Sequence, residues 1–150
     1  MSVQCRPATD LDIDRIRRLR IAWAEEDGGA PVPEEPFVEQ FADWWRAERG
    51  HRRFWLAEDD GEPVGMVSVI TMRRMPWPGG EAPSWGYVHQ MFVLPSRRDD
   101  GVGSALLATA VADCRAEGFE QLVLHPRDRS IPFYERAGFV PVDDLLRLVL

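Results

Sequence analysis

Apolar residues recur along this chain at two different periods, and the changes of period divide it into elements. Leu11, Ile13, Ile16, Leu19, Ile21 and Trp23 return at roughly helical spacing. Thr9 or Asp10 stands ahead of them with a side-chain oxygen that can accept free backbone N–H groups, and Gly28-Gly29 closes the run. After a loop over 30–33, Phe37, Phe41, Trp44 and Trp45 mark the apolar side of a second helix over 34–49, stopped by Gly50. Shorter apolar runs predict strands over 3–7, 54–58, 64–72, 86–94 and 121–125. Asp59-Asp60-Gly61-Glu62 reads as a hairpin turn, because Asp-Gly tolerates the positive φ such turns demand. A Pro- and Gly-rich loop over 76–83 leads into the strand that Pro95 ends. A long helix over 102–117 stops at Gly118, a short one over 130–137 at Gly138, and the tail 139–150 reads as one or two final strands.

The predicted order is β-α-α-β-β-β-α-β-α-β(β). Its first half is antiparallel, and its second half contains a right-handed parallel crossover. The expected fold is α/β (α+β), a mixed central sheet of six to seven strands flanked by about four helices, in one domain over 1–150.

Composition narrows the function. Hydrophobic residues make up 45% and charged residues 29%, an ordinary globular balance. No apolar run approaches the ~20 residues that span a bilayer, so no membrane partner is expected. Cys5 and Cys114 have neither disulfide nor metal spacing, and the first residues carry no signal pattern, which together point to the cytoplasm. The net charge of −7 argues against nucleic acid and favours a cationic small molecule or a basic peptide end. All 18 basic residues are arginine, in keeping with a GC-rich bacterial genome. The absence of lysine excludes Schiff-base and P-loop chemistry.

The most informative segment runs from Met91 to Leu107: a strand, a tight turn with Gly101 and Gly103 flanking one residue, and a helix start. Glycine lets the backbone bend and lets a ligand approach it, while a helix N-terminus presents unpaired N–H groups and partial positive charge. The combination suits a pyrophosphate. A Rossmann fingerprint would need a third glycine and an acid about 20 residues on.

Arg98-Asp99-Asp100-Gly101-Val102-Gly103 matches the (Gln/Arg)-x-x-Gly-x-(Gly/Ala) signature of the GNAT acetyltransferases. Phe133-Tyr134-Glu135-Arg136-Ala137-Gly138-Phe139 resembles the Tyr-Glu-basic-x-Gly-Phe segment of the same family. The element order agrees over the whole chain. The resemblance implies an N-acetyltransferase that uses acetyl-CoA, without a metal, to acetylate a primary amine of a small molecule, amino acid or peptide. It assigns the pyrophosphate to Arg98, Asp99, Asp100, Gly101, Val102, Gly103 and Ser104. It assigns the pantetheine arm to the backbone of Met91, Phe92 and Val93, paired like an added strand, with an N–H near Phe92 polarising the thioester carbonyl. Tyr134 would contact the cofactor and protonate the departing sulfur.

His89, expected on the same side of its strand as Tyr87 and Met91, is the candidate general base. Tyr87 carrying a water is the alternative, and His125 is expected to cap a loop. Trp23, Trp77 and Trp85 together with Glu25, Glu26 and Asp27 would line an acidic, aromatic acceptor cleft. The resemblance also allows a homodimer. Two departures stand out: Asp99-Asp100 where many relatives carry Gly-Lys or Gly-Arg, and Arg127 where many carry asparagine. A module that binds acyl-CoA without turnover, as a sensor, is the alternative function, and a longer acyl donor is a variant of the first.

Overall fold

The computed structural model describes residues 3–150. The elements are β1 (Gln4–Pro7), α1 (Ile13–Gly28), α2 (Glu35–Glu48), β2 (Arg52–Asp59), β3 (Glu62–Met72), β4 (Trp85–Val93), α3 (Val102–Ala116), β5 (Leu122–Val123) and α4 (Ile131–Arg136). One sheet takes the strands in chain order, antiparallel from β1 to β4 and parallel between β4 and β5.

Both faces of this sheet are covered, which is why β2 and β3 read as nearly continuous apolar runs. Trp55, Ala57, Val67, Val69 and Val88 pack under α3 with Val102, Leu106, Leu107, Ala110 and Cys114. Phe54, Leu56, Met66 and Phe92 meet Ile16 and Leu19 of α1 and Phe41 and Trp45 of α2 on the other face. Each Val, Leu, Ile, Met or Phe side chain among them contributes about 1.5–3 kcal/mol through burial. Among the described residues, no helix is long and apolar enough to cross a membrane.

Three expectations change. The sheet has five strands, not six or seven, among the described residues. The tail 139–150 forms no strand: β5 pairs for only two positions, and Pro141 and Asp143-Asp144 are poor strand formers. Phe139 packs on the core, but Val140, Val142, Leu145, Leu146, Leu148, Val149 and Leu150 face outward. Leu11 belongs to no apolar stripe. It sits in a 3-10 turn over Asp10–Asp12 ahead of α1 and is exposed.

The entry into α1 is fixed by charge as well as by packing. Thr9 and Asp12 form a reciprocal capping box. Asp12, only 2% exposed, accepts two bonds from Arg6 (2.8 and 2.9 Å), one from Arg15 (3.0 Å) and one from the Thr9 N–H (2.8 Å). Arg6 also donates to Glu58 on β2 at 2.8 and 3.0 Å, so β1, β2 and α1 share one ionic knot. The Arg6 guanidinium, helped by the Thr9 N–H and Arg15, holds the Asp12 carboxyl well below the usual carboxylate range despite its burial. A depressed carboxylate stabilises the fold above its unfolded value of about 3.9, and the stabilisation is lost as pH falls through the folded value. Asp12→Asn should therefore cost about 3 kcal/mol at neutral pH, the scale of a buried pair broken from one side. Urea titrations of both proteins should show that gap constant down to about pH 5 and closing only below about pH 4.

Candidate functional site

β4 and β5 hydrogen-bond only at Gly86↔Leu122 and Tyr87↔Val123. A Cβ on Gly86 would lie 2.5 Å from Leu122 and 2.7 Å from Val69, so the close approach needs glycine. Beyond it the strands part. β5 is shorter than the expected 121–125 strand, and the edge of β4 from Val88 to Val93 has no strand beside it among the described residues. Met91, Phe92 and Val93 lie on this edge. The Val93 carbonyl accepts from Arg98 Nε at 3.0 Å.

The turn into α3 sits at the far end of that edge. Gly101 is in the left-handed region (φ 78°), as is Asp99 (φ 66°). No side chain caps α3, so the N–H groups of its first turn, at Val102, Gly103 and Ser104, are open to an anion. Gly103 marks a meeting point rather than a steric requirement. Its missing Cβ would lie 3.4–3.5 Å from Phe133 and from the end of Met91, so α3, α4 and β4 converge there. The two acids in the turn do not crowd the helix end: both are exposed, and Asp100 lies 3.6 Å from Arg97 Nε. Arg97 also bridges to Asp59. Arg98 is engaged elsewhere, in a bidentate pair with Glu26 at 2.7 Å, and so ties the turn to the end of α1. These residues fit the diphosphate of a CoA ester through backbone amides rather than through basic side chains.

Tyr134 is half-buried on α4 between Phe133 (5.0 Å) and Phe139 (5.7 Å), both edge-on. Its hydroxyl has no hydrogen-bond partner among the described residues, and burial pushes its pKa above the ordinary tyrosine value. It therefore keeps a proton to give. Across the β4–β5 opening, the Tyr87 hydroxyl and His125 Nδ1 are 3.4 Å apart. His125 thus faces Tyr87 of β4, a neighbour that the loop-capping expectation omits.

The register of β4 slips between Met66 and Ser68 of β3, and Gln90 (φ 57°) is the extra residue. His89 therefore does not share a side with Met91, as strict alternation suggests. Met91 packs toward α3, and Phe92 joins His89 on the α1–α2 face. Ser68 Oγ donates to the His89 carbonyl at 2.6 Å. Arg52, nearly buried, gathers the bulge: its Nη1 lies 3.1 Å from Gln90 Oε1, 3.3 Å from Ser68 Oγ and 3.2 Å from His89 Nδ1. It also pairs with Glu48 and lies over the Trp44 ring at 5.2 Å. A guanidinium only donates, so His89 Nδ1 accepts and the neutral ring carries its proton on Nε2. Desolvation, then the charges of Arg52 and Arg20, keep the His89 pKa below its ordinary value and the ring neutral.

The expected acidic cleft is not there. Glu26 pairs with Arg98, Asp27 lies 3.8 Å from Arg127, and Glu25 accepts the Val32 N–H at 3.0 Å. Trp77 is exposed in the 73–84 loop, and Trp85 opens β4 opposite Met72. Trp23 does line this face, stacked on Phe92 at 5.4 Å with Arg20 over it at 5.0 Å. Arg52, Ser68 and Gln90 were not legible as neighbours, because only the bulge brings them together, and Arg20 reaches this face through Trp23 of its own helix. A separate cavity of about 410 Å³ beside β1 and the end of α3 is lined by polar groups that bond one another, such as Trp45 with Asp10 and Trp55 with Asp113.

The model of the acetyltransferase (GNAT) family matches residues 16–139. Over 90 residues the chain is 32% identical to glucosamine 6-phosphate N-acetyltransferase of Trypanosoma brucei brucei, covering 60% of this chain and 59% of that protein, less than two thirds of its length. A GCN5-related N-acetyltransferase from Ralstonia eutropha superposes with a TM-score of 0.72 at 27% identity, over 99% of both chains. A predicted acetyltransferase from Clostridium acetobutylicum, solved with acetyl-CoA, superposes at 0.75 with 18% identity over 99% of this chain and 96% of that one.

The two glycines of the turn should separate on substitution. Gly101→Ala meets no neighbour but must hold a left-handed φ, so it should cost about 1 kcal/mol. Gly103→Ala gains helix propensity and ordinary contacts, and should stay within about 0.5 kcal/mol of the wild type. Thermal melts of both variants check the contrast.

Proposed function

The chain belongs to the GNAT acetyltransferase family, and from that premise we propose that it transfers the acetyl group of acetyl-CoA to a primary amine by direct attack in a ternary complex. The observation that carries this reading is the convergence at Gly103. There the uncapped start of α3, the free edge of β4 and the Tyr134 helix meet at the mouth of the β4–β5 opening. The first turn of α3 takes the diphosphate, and Met91, Phe92 and Val93 offer backbone pairing to the pantetheine arm. Acetyl-CoA supplies an activated acyl carbon and a sulfur leaving group.

The amine has to attack as the neutral species. A lysine-like amine with pKa ~10.4 is neutral in about one molecule per thousand near pH 7, so removal and relocation of its proton matter. The Arg52 contact gives His89 a role other than general base: its Nδ1 lone pair is occupied and its Nε2 presents a hydrogen. The Tyr87–His125 pair, at the opening itself, is the better proton acceptor, since a phenol can receive and pass on a proton to an adjacent imidazole. The amine nitrogen bonds to the acetyl carbon, the C–S bond breaks as the sulfur takes the Tyr134 proton, and an N-acetyl amine and free CoA thiol result, with Tyr134 reprotonated from solvent.

Thiol release from acetyl-CoA, followed with Ellman's reagent across a panel of amines, amino acids and peptides, tests the reading. Tyr134→Phe should lower kcat about 10²-fold with little change in the KM for acetyl-CoA. Because burial raises the Tyr134 pKa, the alkaline loss of activity due to this donor should fall above pH 10. Acceptor-independent binding of acetyl-CoA with no release on any acceptor would count against transfer and for a binding module.

A further inference from the structure

Arg20 is an exception among the arginines. Every other half-buried arginine has a carboxylate within 4.0 Å among the described residues: Arg6, Arg15, Arg17, Arg52, Arg53 and Arg97. Arg20 is half-buried and has none, in a chain of net charge −7. Its guanidinium lies over Trp23, which is stacked on Phe92, which shares the α1–α2 face with His89. Cation–π contact offsets part of the cost of desolvating it but leaves its N–H donors unused. Arg20 reaches the α1–α2 side of β4 through Trp23 and Phe92, the side on which His89 also lies, and its charge adds to the lowering of the His89 pKa. The ring of His89, held by Arg52 at Nδ1, keeps an Nε2–H donor without a partner among the described residues.

We propose that the acceptor amine also carries an oxyanion, a carboxylate or a phosphate, bound by Arg20 and by the Nε2–H of His89. This rests on the acetyltransfer reading and adds the class of acceptor to it. The cationic lining has two consequences. It attracts the anionic end of the acceptor, and it disfavours polyamines by like-charge repulsion. Arg52 acts through His89 as a positioning residue: it holds the ring neutral and in one tautomer, and does not itself face the acceptor.

Two measurements test this, one of which needs no turnover. With CoA saturating the α3 site, inorganic phosphate and sodium acetate are titrated at constant ionic strength, and the melting temperature is followed for the wild type and for Arg20→Gln. An Arg20-dependent rise with at least one of the two ions is expected, and phosphate against acetate tells which oxyanion fits. Equal responses of wild type and variant to both ions would overturn the proposal. The second measurement compares thiol release for matched pairs: an amino acid and its carboxamide, an amino-sugar phosphate and the free amino sugar, with a polyamine beside them. The anionic member of at least one pair should have a kcat/KM about tenfold higher, mainly through KM. Arg20→Gln should remove that preference, and Arg20→Lys should restore part of it. Turnover that is equal within both pairs, or highest with the polyamine, would sink the proposal while leaving acetyltransfer standing. Absence of turnover on any acceptor would instead count against acetyltransfer, and the ion titration would still decide the oxyanion site.

Discussion

The parting of β4 from β5 is the constraint on which the site depends. The pair closes only where Gly86 lets Leu122 and Val69 come within reach, and two register positions later it is open. On its other side β4 stays paired antiparallel with β3 on both sides of the Gln90 bulge, so it cannot follow β5. The outcome is a strand with one satisfied edge and one row of free N–H and C=O groups inside the fold. Such groups are costly when left without partners, so the edge is stable only if water, a side chain such as Arg98, or an extended ligand meets them.

The bulge at Gln90 resolves a second conflict. One strand has to send Met91 toward α3, where it packs at Gly103, and Phe92 toward α1, where it stacks on Trp23, while His89 also faces α1. Strict alternation cannot place His89 and Phe92 on one face. One extra residue can, at a conformational cost of about 1–3 kcal/mol for a non-glycine residue at positive φ. The Arg52–Gln90 and Ser68–Gln90 bonds offset that cost, and the same Arg52 orients His89. The irregularity therefore positions the histidine and connects it to the nearest cation.

Much of this was readable from residue patterns. The element order through α4, the glycine turn and Tyr134 follow from periodicity, turn chemistry and two motifs, because each is encoded within a short stretch. What escaped was non-local. The parity of His89 depends on a one-residue slip against β3, invisible in the run Tyr87-Val88-His89-Gln90-Met91. Nothing in the sequence separates Arg52 from Arg53, yet its side chain is nearly buried against the Trp44 ring. The acids at the end of α1 suggested a cation site because their partners, Arg98 and Arg127, arrive from segments far along the chain. The tail failed for the opposite reason: its apolar pattern is strand-like, but pairing also needs an edge of sufficient length.

Net charge is thus a poor guide to the charge of a site. The chain is acidic overall, yet the α1–α2 side of β4 presents Arg20 and Arg52, the latter balanced by Glu48 and the former by nothing described. That local sign also bears on the chemistry of the nucleophile. A cation near a bound amine favours its neutral form, and each unit by which the amine pKa falls raises the reactive fraction about tenfold near neutral pH. Were the cleft lined by Glu25, Glu26 and Asp27 instead, it would bind an ammonium ion more tightly and hold it in the unreactive state. An acceptor anchored through an oxyanion escapes this opposition between binding and reactivity. In the proposed reaction the same arginine would attract one end of the molecule and disfavour protonation of the other, and the Tyr87–His125 pair would receive a proton that the surroundings have already loosened.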